Sequence, residues 1–295
     1  MQAQQETPGA LTVQAPAKLN LFLEVLGKRP DGYHEIATLM LAIGLYDQLE
    51  IEEDGSGQLT LTCDQPQLSC GEDNLVMKAA RLLKERSGTA RGARMHLTKR
   101  IPMAAGLAGG SSDAAAALGG LDRLWALGQS TGQLAELAAQ LGSDVPFFLS
   151  GPAAWCTGRG EQITPVKPGT ALWFVLVCPA AGLGTADVYR RVKVPDSPLD
   201  GAELQRVFAA GDIEEIGRRL HNRLQAPAEE LCPEVSRARD MLGQLGPAGV
   251  LMSGSGSTVF ALCRSRPDAE RVALGLRHGS EAGARPRVFL VQGCS

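Results

Sequence analysis

Residues 101–117 read IPMAAGLAGGSSDAAAA. The reading of this stretch decides the fold, because a strand pattern leads into it and a helix pattern leaves it. Before it, residues 93–98 alternate, with Ala93, Met95 and Leu97 on one side. After it, an alanine-rich helix is expected from about Ser112 to Leu127. Gly106, Gly109 and Gly110 let the backbone take unusual dihedrals and approach a ligand closely. Ser111 and Ser112 are expected to cap the helix, whose first amides and dipole suit a phosphate. A tight strand–helix turn with an ordinary serine cap is the alternative from spacing alone. A Walker A loop is excluded, since the Gly-Lys pair of this chain, Gly27-Lys28, is followed by Arg29. The spacing also lacks the G-x-G-x-x-G of a dinucleotide site.

Working outward, residues 74–84 predict a helix with Leu75, Ala79, Leu82 and Leu83 on one face, and residues 131–141 predict another. Strand-like runs stand at 11–14, 19–26, 47–52 and 58–63. In the second half an apolar strand is expected at 172–178. Ile213, Ile216, Leu220 and Leu224 recur at helical spacing. Strands at 250–251 and 259–262 flank a second glycine-rich turn, Ser253-Gly-Ser-Gly-Ser257, which reads equally as a phosphate contact or a hairpin turn. A helix at 268–276 and a strand at 288–291 close the chain. Mixed strand and helix runs give an α+β class, with a divide near residue 155: an N-terminal domain 1–155 and a C-terminal domain 156–295.

Composition narrows the function. Hydrophobic residues are 44% and charged residues 21% of 295, values of a globular chain able to bury a core. The net charge of −3 is scattered and shows no basic stripe, which argues against nucleic acid as partner. Seven cysteines at wide spacings form no C-x-x-C pair, so neither zinc nor a disulfide framework is expected. The N-terminus lacks a signal-peptide pattern, and the longest apolar run, 171–178, is too short for a bilayer. These features fit a reducing cytoplasm with no membrane partner.

Two further clusters carry chemistry. In residues 15–36, APAKLNLFLEVLGKRPDGYHEI, Lys18 and Asn20 share one strand face and Leu19, Leu21 and Leu23 the other. Lys18 reads as a site lysine or as a snorkelling surface lysine. Tyr33 and His34, after the Asp31-Gly32 turn, can meet a planar ring or simply pack. Asp144, in Gly142-Ser-Asp-Val-Pro146, follows a helix and reads on its own as a turn or cap residue.

The segment 15–36, the loop 101–117 and the glycine-rich turn 253–257, in this order, make the chain resemble the superfamily of galactokinase, homoserine kinase, mevalonate kinase and phosphomevalonate kinase. The likeness spans nearly the whole chain, helped by GSDVPFFLSG and LMSGSGSTVFAL. The R-P-D-G-Y-H continuation of the first segment is its most specific part. It points to the branch whose acceptor alcohol carries a cytidine diphosphate, in the non-mevalonate isoprenoid precursor pathway. The resemblance implies a two-domain kinase with ATP and the alcohol in the cleft between domains. It implies Lys18 and Asp144 as the catalytic pair. The ATP-contacting set it implies is Asn74, Lys99, Pro102, Met103, Ala104, Ala105, Gly106, Leu107, Ala108, Gly109, Gly110, Ser111 and Ser112. For the acceptor it implies Asn20, Tyr33, His34, Asp144, Thr185 and Tyr189, with Tyr189 covering the second face of the cytosine. Mg²⁺ comes with the nucleotide, and Ser112 is the residue expected to reach it. A monomer or weak homodimer is expected. Kinases for mevalonate or homoserine fit less well, because those alcohols give the aromatic cluster no ring to hold. A regulator that has lost catalysis would be expected to lack Lys18 or Asp144, and the loop spacing opposes an NAD-dependent oxidoreductase.

Overall fold

The computed structural model describes residues 3–7, 9–278 and 286–294. In chain order the first elements are β1 (Ala3–Thr7), β2 (Ala10–Lys28), β3 (His34–Asp54), β4 (Leu59–Cys63), α1 (Leu75–Ser87) and β5 (Gly92–Thr98). Next come α2 (Gly109–Trp125), α3 (Thr131–Leu141), α4 (Phe147–Ser150), β6 (Ala153–Thr157), β7 (Gln162–Pro165) and β8 (Trp173–Cys178). They are followed by α5 (Thr185–Arg191), α6 (Ala202–Ala210), α7 (Ile213–Arg218), β9 (His221–Asn222) and α8 (Gln225–Leu231). The last are α9 (Pro233–Gly243), β10 (Gly249–Met252), β11 (Val259–Cys263), α10 (Arg266–His278) and β12 (Arg287–Gln292). Helices and sheets mix as the α+β reading expects. Among the described residues no helix is long and apolar enough to cross a membrane.

The chain forms two compact units that interleave in sequence. The first takes the chain up to Ala17, then Leu45–Ile101 and Ala108–Gly151. The second takes Lys18–Gly44, Pro102–Leu107 and everything from Pro152 on. Strands β2 and β3 and the glycine-rich loop each contribute residues to both.

In the first unit the strand order is β1-β2-β3-β5-β4. β3 and β5 are antiparallel, from Gln48 opposite Thr98 to Asp54 opposite Gly92, and β4 runs parallel to β5. As alternation predicts, Ala93, Met95 and Leu97 are buried. Helix α1 starts at the expected place, where the Asn74 side chain accepts the Val76 N–H at 2.9 Å, and ends on Gly88 at φ 67°. Helix α2 lies close on the strands through Gly120, where an added Cβ would stand 2.5 Å from Ile51 Cδ1.

In the second unit β10-β11-β8-β12 form an antiparallel sheet. Val175, Val177, Val259 and Ala261 pack against Val235, Ala238 and Leu242 of α9 and Ala269 and Val272 of α10. β3 pairs with β6, and residues Phe22 and Leu23 of β2 pair with β9.

Three expectations are corrected. The runs 11–14 and 19–26 are parts of one strand, β2, and its residues from Ala15 to Val25 are all buried, so its centre does not alternate. The stripe Ile213, Ile216, Leu220 and Leu224 is not one helix. α7 stops at Arg218, β9 intervenes, and Gly217 is wedged against the Ala248 carbonyl, 2.1 Å from where its Cβ would be. Helix α2 begins at Gly109, three residues before the expected start. Its N-cap is Ala108 in the left-handed region, φ 54°, so Ser111 and Ser112 lie inside the first turn and do not cap it.

Candidate active site

In the second unit the three sequence clusters meet. Lys18 is 3% exposed, which rules out a snorkelling surface lysine. Its ammonium donates to Asn20 Oδ1 at 2.5 Å and to the Gly106 carbonyl at 3.0 Å. Its backbone N–H donates to the Leu107 carbonyl at 3.1 Å. Asn20 in turn donates to Thr38 Oγ1 at 2.8 Å, so both side chains are held by the strands beneath them.

Four successive carbonyls of the loop are taken up by protein. Ala104 O accepts from Leu183 N–H, Ala105 O from Thr258 N–H, Gly106 O from Ser253 Oγ and Lys18, and Leu107 O from Lys18 N–H. With its carbonyls turned inward, the loop offers its amide edge to a ligand. Gly106 permits this arrangement. It sits at φ +74°, and an added Cβ would fall 2.1 Å from the Ser253 carbonyl oxygen. Ala104 and Ala108 also take left-handed dihedrals, φ 51° and 54°, at a steric cost glycine would not bear.

The second glycine-rich turn joins β10 to β11, with Met252 opposite Val259. It is buried throughout, and its three serines are all engaged: Ser253 on Gly106, Ser255 with Thr185 Oγ1 at 3.0 Å, Ser257 on the Ala181 carbonyl at 2.6 Å. Of its two sequence readings, the packed hairpin turn is the one its contacts describe.

The aromatic cluster also lies in this unit. The turn before Tyr33 is closed by the Arg29 N–H on the Tyr33 carbonyl at 2.8 Å. Tyr33 is 54% exposed, with the Arg159 guanidinium 4.8 Å over its ring. His34 stacks directly on Tyr189, ring centroids 5.1 Å apart, so no ring stands between these two. Burial, helped by the Lys28 charge, lowers the His34 pKa, which keeps the imidazole neutral with one donor and one acceptor. Thr185, one turn before Tyr189 on α5, reaches the serine turn as above.

The remaining expected residues belong to the first unit. Asn74 is committed as the α1 cap, its amide also donating to the Ser69 carbonyl at 2.6 Å. Asp144 is half-buried in the turn after α3, where Val145 N–H donates to the Gly142 carbonyl, and the buried Phe147 and Phe148 anchor the next helix. Ser112 Oγ is buried without a partner, as is Asp113 Oδ1. An orphaned oxygen at the start of α2 fits a hard cation carried in with a nucleotide. Among the described residues there is no cluster of three His, Cys, Asp or Glu side chains to hold a metal alone. Lys99 is 5% exposed, its ammonium bonded to both Asp47 and Asp113. Burial drives the Asp113 pKa up to about 7, reinforced by the Asp47 charge and opposed by Lys99. Burial alone would lower Lys99, but the two carboxylates hold it above its usual value.

Three buried acids escaped the sequence reading, Asp47, Asp113 and Glu24. Glu24 accepts two bonds from Arg223 at 2.7 Å, one from His221 Nε2 at 3.1 Å and one from the Leu199 N–H at 3.1 Å. Burial would raise its pKa, but Arg223 and these N–H donors hold it below the usual carboxylate range. For Glu24 the available signal was a lone acid inside an apolar strand run.

Comparison with known proteins agrees with this assembly. Residues 74–152 match the GHMP kinases N terminal domain and residues 204–280 the GHMP kinases C terminal domain. A 4-diphosphocytidyl-2-C-methyl-D-erythritol kinase of Pelotomaculum thermopropionicum is 43% identical over 281 residues, covering 95% of this chain and 98% of that protein. A crystal structure of a 4-(cytidine 5'-diphospho)-2C-methyl-D-erythritol kinase matches with a TM-score of 0.79 at 37% identity, over 96% of this chain and 100% of that one. A homoserine kinase from Cytophaga hutchinsonii shares the fold, with a TM-score of 0.76 at 18% identity over 99% of this chain and 96% of its own. With identity at this level over nearly its full length, the chain belongs to the 4-diphosphocytidyl-2-C-methyl-D-erythritol kinase family of the GHMP kinases.

Proposed function

We infer that the protein transfers the γ-phosphate of ATP to the 2-hydroxyl of 4-diphosphocytidyl-2-C-methyl-D-erythritol, in the non-mevalonate route to isoprenoid precursors. The observation that carries this reading is Lys18: a buried ammonium bonded to Gly106 of the loop and to Asn20 of its own strand. A lysine buried this deeply is costly unless its charge is used.

Phosphoryl transfer asks the protein mainly for positioning and electrostatic stabilisation. In this reading the amide edge of residues 103–110 and the start of α2, including Ser111, bind the ATP phosphates, with Pro102 and Asn74 nearby. Asp144 accepts or orients the proton of the attacking hydroxyl, and Lys18 neutralises charge developing on the transferred group. Mg²⁺, when bound with the nucleotide, offsets phosphate charge, and Ser112 is the side chain that would meet it. Asn20 and Thr185 orient the acceptor. The cytosine lies on the exposed Tyr33 face and the outer side of the His34–Tyr189 stack, or parts that stack on entry. Neutral His34 supplies the donor or acceptor that stacking, indifferent to base identity, cannot supply. Residues 1–155 would then carry the nucleotide and catalytic pair, and residues 156–295 much of the acceptor side.

The test is ATP turnover by the purified chain over a panel of alcohols with and without an attached cytidine diphosphate. Activity confined to the cytidyl alcohol is expected. Equal phosphorylation of free methylerythritol phosphate would overturn the substrate assignment.

A further inference from the structure

A buried trio of charges stands at both ends of the glycine-rich loop. Asp47, on β3, accepts the N–H groups of Arg100 and Ile101 on one carboxylate oxygen, at 2.6 and 2.9 Å. Its other oxygen bonds the Lys99 ammonium, which also donates to Asp113 Oδ2 at 2.6 Å. Arg100 and Ile101 lead into the loop, and Asp113 sits in the first two turns of α2, which leads out of it. Gly109 rests on the trio: an added Cβ would meet Lys99 Nζ at 3.2 Å and Asp47 Oδ2 at 3.3 Å. The side chains of Asp47, Lys99 and Asp113 are 0%, 5% and 3% exposed.

Such a group is an unlikely choice for stability alone. Buried ion pairs seldom outperform apolar residues of the same volume, and here two carboxylates share one ammonium. Its placement explains it better: one charged knot ties the residue before the loop to the helix after it. Lys99 is also poorly placed to act as a direct phosphate ligand, since two of its three N–H donors are spent on carboxylates and it is almost fully enclosed.

We propose that Asp47, Lys99 and Asp113 form a clamp that fixes the span of the phosphate loop, so that Lys99 is a positioning residue acting on ATP through the loop and not by contact. The proposal rests on the kinase reading above and deepens it.

The experiment uses the full chain with Lys99→Met, Asp113→Leu, the double variant, and Asp47→Asn. The last keeps an acceptor for the Arg100 and Ile101 amides and removes only the ion pair. Calorimetry gives the ATP affinity, and steady-state kinetics give the KM of each substrate. Each single variant is expected to weaken ATP on the order of tenfold, with the KM of the alcohol changed less than about twofold. The double variant is expected to lose no more than either single one, because the three side chains act as a unit. If Lys99 instead touches a phosphate, Asp113→Leu frees its ammonium, and unchanged or tighter ATP binding would overturn the clamp. Lower melting temperatures with unchanged ATP affinity would overturn it too, leaving only a structural role. Hydrogen exchange of residues 103–108 in the ligand-free chain gives a readout independent of nucleotide: Lys99→Met is expected to speed it, and unchanged rates sink the proposal. A wild-type chain that binds no ATP would instead refute the kinase reading, and the exchange data would still decide the clamp.

Discussion

The loop at residues 102–108, PMAAGLA, and the turn at residues 253–257, SGSGS, are both rich in small residues, yet they end in different states. The first leaves Met103 and Ala104 exposed and turns its carbonyls inward. The second is wholly buried, with each serine hydroxyl bonded to a neighbour. They differ in what surrounds them. The turn closes a hairpin between the edge strand β10 and the central strand β11 and is itself buried, so its polar groups must find partners in the protein. The loop ends at the start of a helix, whose amides have no internal partner and remain for a ligand. Small residues alone therefore do not distinguish an exposed loop from the turn packed behind it.

Seven substitutions break or sharpen this contrast. The largest effect is expected at the residue that touches the loop and carries charge. Lys18→Ala should lower kcat by on the order of 10²-fold or more, as loss of a charged participant does, with Asp144→Ala matching it. Near wild-type turnover in a folded variant would remove that residue from the mechanism. Next, Gly106→Val should cost on the order of 10²-fold in kcat/KM, because the new side chain collides with the Ser253 carbonyl and displaces the loop. Its control is Gly119→Ala, on α2 outside the loop, whose Cβ meets nothing within 4 Å and should leave kinetics nearly intact. Comparable losses in both would mean that the contact with the turn does not govern activity.

A smaller effect belongs to the brace. Ser253→Ala removes a bond to Gly106, which keeps Lys18 as donor, and a long one accepted from the Asn20 N–H at 3.4 Å, so a stability loss of about 1–2 kcal/mol by denaturant titration is expected. A loss several times larger would show that the turn does more than support. The smallest is a gain: Ala104→Gly relieves a left-handed alanine and should stabilise by up to ~1 kcal/mol after the entropy of glycine is offset. In the turn the reverse exchange, Gly254→Ala at φ +56°, should destabilise. Thermal melts of the two variants moving in the same direction would contradict the backbone geometry described.

Much of this was legible in sequence where the signal is local. Asn74 announces α1, the alternation of 93–98 gives β5, and the three clusters bring Lys18, Gly106 and Ser253 into one family before any contact is seen. What stayed hidden depends on distant partners. The centre of β2 is buried on both faces, so its period vanishes. The start of α2 depends on Ala108 accepting a dihedral that alanine disfavours, which moves Ser111 and Ser112 from cap to interior. The Asp47–Lys99–Asp113 trio joins residues 52 and 14 positions apart. The compact units change hands inside strands, at Ala17/Lys18 and Gly44/Leu45, where no linker composition marks the change. The His34–Tyr189 stack, too, is a side-chain contact across 155 positions that aromatic content alone does not foretell.

Glu24 has a consequence for how the chain is made. Its partners lie 175, 197 and 199 residues downstream. At roughly 5–20 residues per second, translation delivers Arg223 about 10–40 seconds after Glu24. Until then the partners that hold the carboxylate in the fold have not been made, and burying it without them would cost several kcal/mol, so this part of β2 stays open on the ribosome. Limited proteolysis of stalled nascent chains ending before and after Arg223 should find the strand cleavable in the first and protected once Arg223 has cleared the exit tunnel in the second. β2, the second strand to leave the ribosome, is thus among the last to be completed.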